Sequence, residues 1–495
     1  MDFPVIMMKI VPNWLLSTKY SASRPLFLVA RAIIHIFTAC LPFLVKAIIM
    51  FGLKSNSADP RPKSAVSGGV GVAGLIGLAA WIMIARQYGM DGPYSALAAC
   101  AACGLPMVIW SLLKDKVHLR ESTGIDWKNP KPLKETFDTS VIKLAGLWGT
   151  WGLIAVIYCI GRWYWTGQYQ FSMQMMEMVA PWLLAISIPY VMFLDRFFVE
   201  PKDGAWHFGQ FLMGGKPKTR GGEFDPEQIY HHLRTWAVKG FFLAFMISIV
   251  PGGFGDFIRL DFNEIAGNPI AIAHWLIVAM FVVDVQFATV GYLLTMKPLD
   301  SHIRTANPYL GGWVAALLCY PPFALMYPGG PLHYEVDIAG WDYWFREYEM
   351  LLWIWGGALV VLTAIYAWAT VAFGLRFSNL THRGILTHGP YSWTKHPAYV
   401  AKNTYWWMAS LPFLTMGGNY VDMIRNAVLM GCVSGVYYWR AKTEEKHLLS
   451  DPAYKEYAEW MDRNGPIPRL VNWVKRRVGW WTPEQGREPE IHPAE

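Results

Sequence analysis

The chain has 495 residues, of which 54% are hydrophobic and 16% are charged, and its formal net charge is +7. Soluble domains carry about 25% charged residues, so this chain has too little polar surface to cover a soluble globule of its size. The composition also excludes a disordered chain and a disulfide scaffold, because the six cysteines all lie in apolar runs and read as small buried hydrophobes. We therefore predict an all-α, polytopic membrane helical bundle.

The first segment, residues 1–63, is predicted to lie in the cytoplasm or at the membrane interface. Arg31, His35 and Lys46 interrupt its apolar run. The stretch free of full charge is about 14 residues long, which is shorter than the roughly 20 that a membrane helix needs. An eleventh span in this segment is the alternative.

Ten uncharged runs follow, and the shorter ones can borrow flanking residues whose charged ends reach the interface. They predict about ten transmembrane helices, divided into an N-terminal bundle of unknown role at 64–300 and a C-terminal membrane domain with a cytoplasmic site at 301–470. The tail, 471–495, is predicted to be basic and aromatic at first and then disordered. The ten runs are 64–85, 92–113, 144–161, 178–194, 240–255, 265–283 (continuing past Asp284 to 296), 305–334, 350–375, 403–421 and 426–439.

Loop charge predicts how the chain crosses the membrane. The loops at 114–134 and 202–220 are rich in Lys and Arg, whereas 256–264 and 335–349 carry more acids than bases. Basic loops stay in the cytoplasm, so we expect both termini there. The lack of a targeting segment favours a bacterial inner (cytoplasmic) membrane. Because the basic residues are spread over loops, we expect contact with anionic lipid and not with nucleic acid, and the sequence identifies no protein partner.

Residues 69–74 match the glycine pattern of dinucleotide-binding loops, but they open a long apolar run and follow no strand. Helix packing is the better interpretation. Gly71, Gly74 and Gly77 are spaced to form a stripe of small residues that lets a neighbouring helix approach closely.

Two polar features interrupt the apolar pattern. Glu227, His231 and His232 fall near helical i, i+4 spacing, which predicts a solvated helix face, with a metal site as the alternative. Asp284 lies deep in an apolar run, where a carboxyl group is costly. We expect it to be hydrogen-bonded for structural reasons or to have a functional role.

The chemically most informative stretch begins near Arg383. Pro397 suits the first turn of a helix, where its missing N–H costs nothing. From there His396, Tyr399, Asn403 and Trp406 recur every three or four residues, so they are predicted to share one helix face at the cytoplasmic end of a span.

The short connection at 416–419 predicts an antiparallel helical hairpin. Its second arm, 426–439, delivers Arg440 and the acid pair Glu444-Glu445 to the membrane face that carries His396. A charged cap at a helix exit is common in membrane proteins. Two polar clusters on one face of a hairpin, however, favour a functional site.

At these residues the sequence resembles the isoprenylcysteine carboxyl methyltransferase family and its bacterial phospholipid-methyltransferase-like relatives. The resemblance covers roughly residues 370–470. It rests on Gly389-Pro390-Tyr391, Lys395-His396-Pro397-Ala398-Tyr399, Arg440, Glu444-Glu445, Leu448, Tyr454, Tyr457, Pro466 and Pro468.

The resemblance implies an S-adenosylmethionine-dependent methyltransferase that acts on a membrane lipid or isoprenoid at the cytoplasmic face. It implies that Arg440, Glu444 and His396 lie close to the reacting groups, and it implies no metal. The residues it assigns to the cofactor are Gly389, Tyr391, Lys395, His396, Pro397, Tyr399, Glu445 and Tyr457.

Two other functions remain open from the sequence. Membrane reductases of the sterol-reductase type share a related His-Pro signature and use NADPH, whose phosphates could be neutralised by Arg383, Lys395, Lys402 and Arg425. A non-catalytic lipid-binding or transport protein is the second alternative, although the chain shows no internal repeat.

Overall fold

The computed structural model describes residues 61–477, apart from 262–264 and 266. Over these residues the regular structure is almost entirely helical, with fourteen α-helices and one antiparallel pair of two-residue strands. The predicted all-α class is therefore confirmed. The predictions for residues 1–60, including the eleventh span, and for a disordered end at 478–495 lie outside the described residues.

The helices, numbered in chain order, are α1 Gly68–Tyr88, α2 Pro93–Leu113, α3 Leu133–Gly161, α4 Gln170–Asp195, α5 Gly204–Leu212, α6 Pro226–Arg259, α7 Pro269–Leu293, α8 Leu310–Leu317, α9 Trp341–Phe345, α10 Glu349–Phe373, α11 Pro397–Ser410, α12 Tyr420–Leu448, α13 Pro452–Asn464 and α14 Pro466–Arg477. The strands are β1 Thr305–Ala306 and β2 Thr381–His382, in a register that pairs Thr305 with His382 and Ala306 with Thr381.

Seven helices in the described part of the chain are long and apolar enough to cross a membrane, namely α1 to α4, α6, α7 and α10. The protein is therefore an integral membrane protein by the length and composition of its helices. The predicted count of about ten is not confirmed, because the runs at 305–334, 403–421 and 426–439 do not give such helices.

A local feature explains why each of these three runs does not form a membrane-spanning helix. The first forms only the eight-residue α8, followed by irregular chain that contains Pro321-Pro322. The second ends at Ser410, where Leu411 adopts a left-handed backbone and Pro412 cannot extend the helix. The third lies in the 29-residue α12, whose two ends are polar.

The glycine stripe of α1 does pack against other helices. A Cβ atom on Gly77 would lie 1.9 Å from the carbonyl oxygen of Ala102 on α2, and one on Gly71 would lie 2.6 Å from Val371 on α10. Backbones approach this closely only where a side chain is missing. The stripe therefore joins α1 to two neighbours, as the sequence predicted.

Gly77→Ala is expected to destabilise the protein by roughly 1–3 kcal/mol, because α1 and α2 must move apart. Gly357→Ala is the matched control, since a Cβ there would meet nothing within 4 Å. The control should be neutral or stabilising by up to about 1 kcal/mol, because alanine is the better helix former. Thermal unfolding in detergent measures both, and equal melting temperatures for the two variants would contradict the packing role.

Residues on both sides of the predicted boundary at 300/301 share one hydrophobic core. Phe287 on α7 and Val371 on α10 belong to the same buried cluster as Met107 on α2. The pair β1–β2 also ties the chain after α7 to the loop after α10. Near the other predicted boundary, α14 runs through 470/471 without a break. The C-terminal quarter thus rests directly on the N-terminal helices.

Two predictions about polar and sulfur groups need correction. Cys100, Cys103 and Cys319 are buried as expected, but Cys159 and Cys432 are exposed on the outside of the bundle. The predicted solvated face at Glu227, His231 and His232 holds only in part, because Glu227 is exposed and His231 is partly exposed but His232 is not. His232 is buried and hydrogen-bonds Thr150, at 2.8 Å. This hydrogen bond forms where α3 and α6 pack together, and the spacing of residues within one helix does not predict such packing.

Candidate functional site

The candidate site begins in the loop that leads from β2 into α11. A short 3-10 turn at Gly389–Ser392 opens with Gly389 at φ 59°, a left-handed conformation that favours glycine. His396 is the residue before α11 and has non-helical backbone angles, φ -130° and ψ 57°, and Pro397 occupies the first helical position. The histidine ring is therefore held at the helix start, where the sequence placed it.

Helix α12 supplies the other half of the site from its C-terminal end. Arg440 and Glu444 stand one turn apart and interact, with Nε 3.4 Å from Oε1. Asp451 then caps α13, which turns the chain back across the loop that contains Trp393. The connection between α11 and α12 is residues 411–419, longer than the predicted 416–419, yet the two helices do form a hairpin.

The two halves are in direct contact. His396 Nε2 lies 2.9 Å from Glu445 Oε1, and Lys395 Nζ lies 3.6 Å from the same oxygen. Lys442 Nζ lies 2.9 Å from the other oxygen, Oε2. Burial on its own raises the pKa of Glu445, but hydrogen bonds from His396 and Lys442 and the nearby charge of Lys395 outweigh burial and lower the pKa to about 2. Glu445 is therefore a stable carboxylate at neutral pH.

A second contact joins the same two helices. Tyr399 donates a hydrogen bond of 2.5 Å to Glu444 Oε1, which also faces Arg440. Arg440 is buried and donates from Nη2 to Asn379 Oδ1, at 2.5 Å. Its guanidinium lies 5.3 Å from the ring centre of Tyr399 and 5.5 Å from that of Tyr320. Aromatic faces and one carboxylate thus compensate the buried charge.

The remaining predicted site residues lie beside this cluster and are not hydrogen-bonded to the acid pair. The Tyr457 hydroxyl donates to the Tyr391 carbonyl oxygen, at 2.7 Å, which fixes α13 against the 3-10 turn. The Tyr457 side chain is buried and that of Tyr391 is partly buried, and a Cβ on Gly389 would lie 3.2 Å from Trp368. These contacts give Gly389, Tyr391 and Tyr457 a role in shaping the loop.

The exposed edge of the cluster offers both signs of charge. The side chains of Lys395 and Glu445 keep 14% of their surface exposed, His396 keeps 16% and Glu444 keeps 21%. An amino-acid end group needs carboxylates for its ammonium and cations for its carboxylate. Lys395, His396, Glu444 and Glu445 therefore offer hydrogen-bonding partners for both charges of such an end group.

Sequence reasoning missed several members of the cluster. Lys442 stands three residues before Glu445 on α12, and this helical spacing was a usable signal. Asp462, which pairs with Lys395 at 2.9 Å, comes from α13. Asn379 and Tyr320 reach Arg440 from distant segments, and no local pattern points to them.

The basic residues that could have neutralised NADPH phosphates are dispersed. Arg383 is buried and donates to the backbone oxygens of Ser301, Gly291, Phe377 and Leu375. Arg425 hydrogen-bonds Asn426 in the first turns of α12, at the end of that helix away from Glu445. Lys402 lies over the rings of Tyr366, Trp406 and Tyr437. Of these four basic residues, only Lys395 lies in the cluster.

Glu445→Gln is expected to reduce stability at pH 6–8 by roughly 1–3 kcal/mol, because charged hydrogen bonds are lost. The folded pKa of Glu445, about 2, lies below its ordinary value of about 4.3. The stabilisation is therefore complete above about pH 4.3 and is lost as the pH falls towards about 2. Thermal unfolding of both proteins across this range measures the difference, and a gap that widens on acidification would contradict the assignment. Glu459→Gln, on the exposed side of α13, is the control.

Comparison of this chain with protein-family models, with curated proteins and with solved structures gives no match to any of them.

Proposed function

We propose that this protein is an integral-membrane methyltransferase that uses S-adenosylmethionine and acts on a lipidic acceptor at the cytoplasmic face. The observation that supports it most is the contact between His396 and Glu445, at 2.9 Å, together with that between Tyr399 and Glu444, at 2.5 Å. These are the residues through which the sequence resembles the isoprenylcysteine carboxyl methyltransferase family.

Methyl transfer from a sulfonium is an in-line displacement, so its catalyst mainly aligns the reactants in a site with little water. The donor supplies an electrophilic methyl group when bound. The chain's part is to hold the donor's charged end through Lys395, His396 and the acid pair. Glu445 stays ionised because three cationic or hydrogen-bonding partners surround it, so it can accept hydrogen bonds from an ammonium group.

A reductase that uses NADPH is less well supported. A pyrophosphate would meet the carboxylates of Glu444 and Glu445, which repel it. Of the four basic residues considered for binding NADPH phosphates, three make contacts outside the cluster. Arg383 has the most of these contacts, all to backbone oxygens such as those of Ser301 and Gly291. The cluster favours a ligand whose bound end carries both a positive and a negative charge.

Parallel titration of the purified protein with S-adenosylmethionine and with NADPH separates the candidate functions. We expect calorimetric binding of S-adenosylmethionine and no binding of NADPH. The reverse result would favour the reductase, and binding of neither ligand would favour a non-catalytic lipid-binding protein. S-Adenosylhomocysteine, the demethylated product, serves as a positive control for the amino-acid end of the site.

A further inference from the structure

The last helix of the described chain, α14, separates apolar and basic residues onto different faces. Ile467, Leu470 and Val471 recur at helical spacing on one face, and Val474 continues the pattern. The helix contains no aspartate or glutamate. It is therefore amphipathic and positively charged. The basic and amide residues on its other side and at its end are Arg469, Asn472, Lys475, Arg476 and Arg477.

The outer part of the apolar face is left uncovered by the rest of the described chain. Leu470 keeps 59% of its surface exposed and Val471 keeps 44%. A helix of 12 residues is only marginally stable in water by itself. What covers this face therefore decides how firmly α14 is held.

Helix α14 begins at the level where a membrane-spanning helix ends. The Ile467 N–H donates to the carbonyl oxygen of Trp393, at 3.4 Å. Trp393 packs edge to face on Trp368, with ring centres 5.3 Å apart. Trp368 lies on α10 near its end at Phe373, only about 8 Å away at 1.5 Å per residue. The start of α14 therefore lies beside the membrane surface and does not project far into the solvent.

The same end of the bundle carries one of the two basic loops that predict the cytoplasmic side, 114–134. Arg120 in this loop donates to the Ala65 carbonyl oxygen, at 2.9 Å. The Ala65 N–H donates to the Ile385 carbonyl oxygen, at 2.8 Å, and Ile385 packs against α13. Positive charge is thus collected at the end of the molecule where α14 lies. Such an end suits the anionic leaflet of a membrane.

An anionic lipid surface matches both faces of α14. Leu470 and Val471 can enter the boundary between head groups and acyl chains while the basic residues meet lipid phosphates. Each basic residue near such a surface contributes about fivefold to the affinity. A second copy of the chain that paired α14 with α14 would instead bring like charges together. Charge and position therefore favour lipid as the partner of this helix.

We propose that α14 binds the anionic lipid surface of the membrane that the chain spans and thereby clamps the loop of the candidate site. The Tyr457 hydroxyl on α13 donates to the Tyr391 carbonyl oxygen, at 2.7 Å. The Ile467 N–H on α14 donates to that of Trp393. Two consecutive helices thus hold the same loop, so a lipid contact that holds α14 also holds the loop. The lipid contact does not rest on the proposed function.

The test measures hydrogen–deuterium exchange of the full chain in nanodiscs that each hold one copy. One set of discs is phosphatidylcholine, and the other is an equimolar mixture with phosphatidylglycerol. The amides of residues 470–477 are expected to exchange about tenfold more slowly in the anionic discs, and high salt should remove the difference. Equal exchange in the two kinds of disc would mean that protein or neutral lipid covers the helix, and would overturn the proposal.

Matched variants separate the two faces of α14. The double variant Leu470→Gln with Val471→Gln is expected to exchange about tenfold faster than the wild type in anionic discs, because two apolar side chains no longer enter the bilayer. Asn472→Gln, exposed on the other face, is the control and should keep the wild-type difference. Wild-type exchange in the double variant would overturn the proposal. Exchange of α12 reports folding in each variant, and the wild-type lipid series decides if the double variant does not fold.

The clamp has a readout of its own in the same experiment. The N–H groups of Tyr391 and Trp393 are hydrogen-bonded within the 3-10 turn, and their exchange should rise in the double variant but not in Asn472→Gln. If α14 is released and these two amides do not change, the clamp is wrong. No S-adenosylmethionine is present, so a failure of the proposed methyltransferase leaves every one of these outcomes unchanged.

Discussion

Under the proposed function, His396→Ala is expected to lower methyl transfer by about 10²-fold, because loss of a group that holds the donor lets the reacting atoms move out of line. The imidazole hydrogen-bonds Glu445 and stacks on Tyr399, with ring centres 5.6 Å apart and an interplanar angle of 8°. Its removal frees both side chains from their present positions. Release of S-adenosylhomocysteine measures turnover, and calorimetry measures retention of the donor.

The control for His396→Ala is Glu459→Gln, whose side chain is exposed on α13 and pairs with Arg463 on the same helix. It should retain wild-type turnover. Size-exclusion chromatography of both variants separates loss of activity from loss of folding. A folded His396→Ala protein with full activity would show that the reaction site lies outside this cluster.

Arg440→Met is expected to destabilise the protein by about 1.5–3 kcal/mol, because it removes the buried, charged donor of two hydrogen bonds. Arg440 bridges Asn379, at 2.5 Å, and Glu444, at 3.4 Å. Both partners would be left partly desolvated without a cation. The expected result is a large fall in melting temperature, together with loss of donor binding.

Arg440→Lys tests whether the positive charge of Arg440 is sufficient or whether the planar shape of its guanidinium is also needed. Lysine keeps the positive charge but cannot present the planar fork that reaches both partners while lying against aromatic rings. It should recover only part of the lost stability. Wild-type stability in Arg440→Lys would show that a point charge is sufficient there, and wild-type stability in Arg440→Met would contradict the whole bridging role.

The meeting of the two polar clusters could be predicted from the sequence, because both depend on local signals. Pro397 starts α11 where proline is favoured, and the charged residues from Arg440 onward follow an apolar helix that returns to the same face. Two helices joined by a short connection are antiparallel neighbours, so His396 and Glu445 had to lie near each other.

The other features of the fold and of the site could not be predicted, because they depend on contacts between segments that are distant in the sequence. An uncharged run predicts low polarity but not helix length, so the run at 305–334, which forms only α8, looked like a span. Asn379 and Tyr320 meet Arg440 only after the bundle has formed. The pairing of Asp284 with Tyr366 likewise needs α7 and α10 side by side. Periodicity within one helix carries no information on such pairs.

The most direct test of the proposed function follows the methyl group itself. Membranes that contain the wild-type protein are incubated with methyl-tritiated S-adenosylmethionine and then extracted with organic solvent. The account predicts tritium in a discrete lipid fraction, strongly reduced in Glu445→Gln and retained in Glu459→Gln. A lipid extract with no label above that of membranes lacking the protein, or equal labelling in all three proteins, would contradict it.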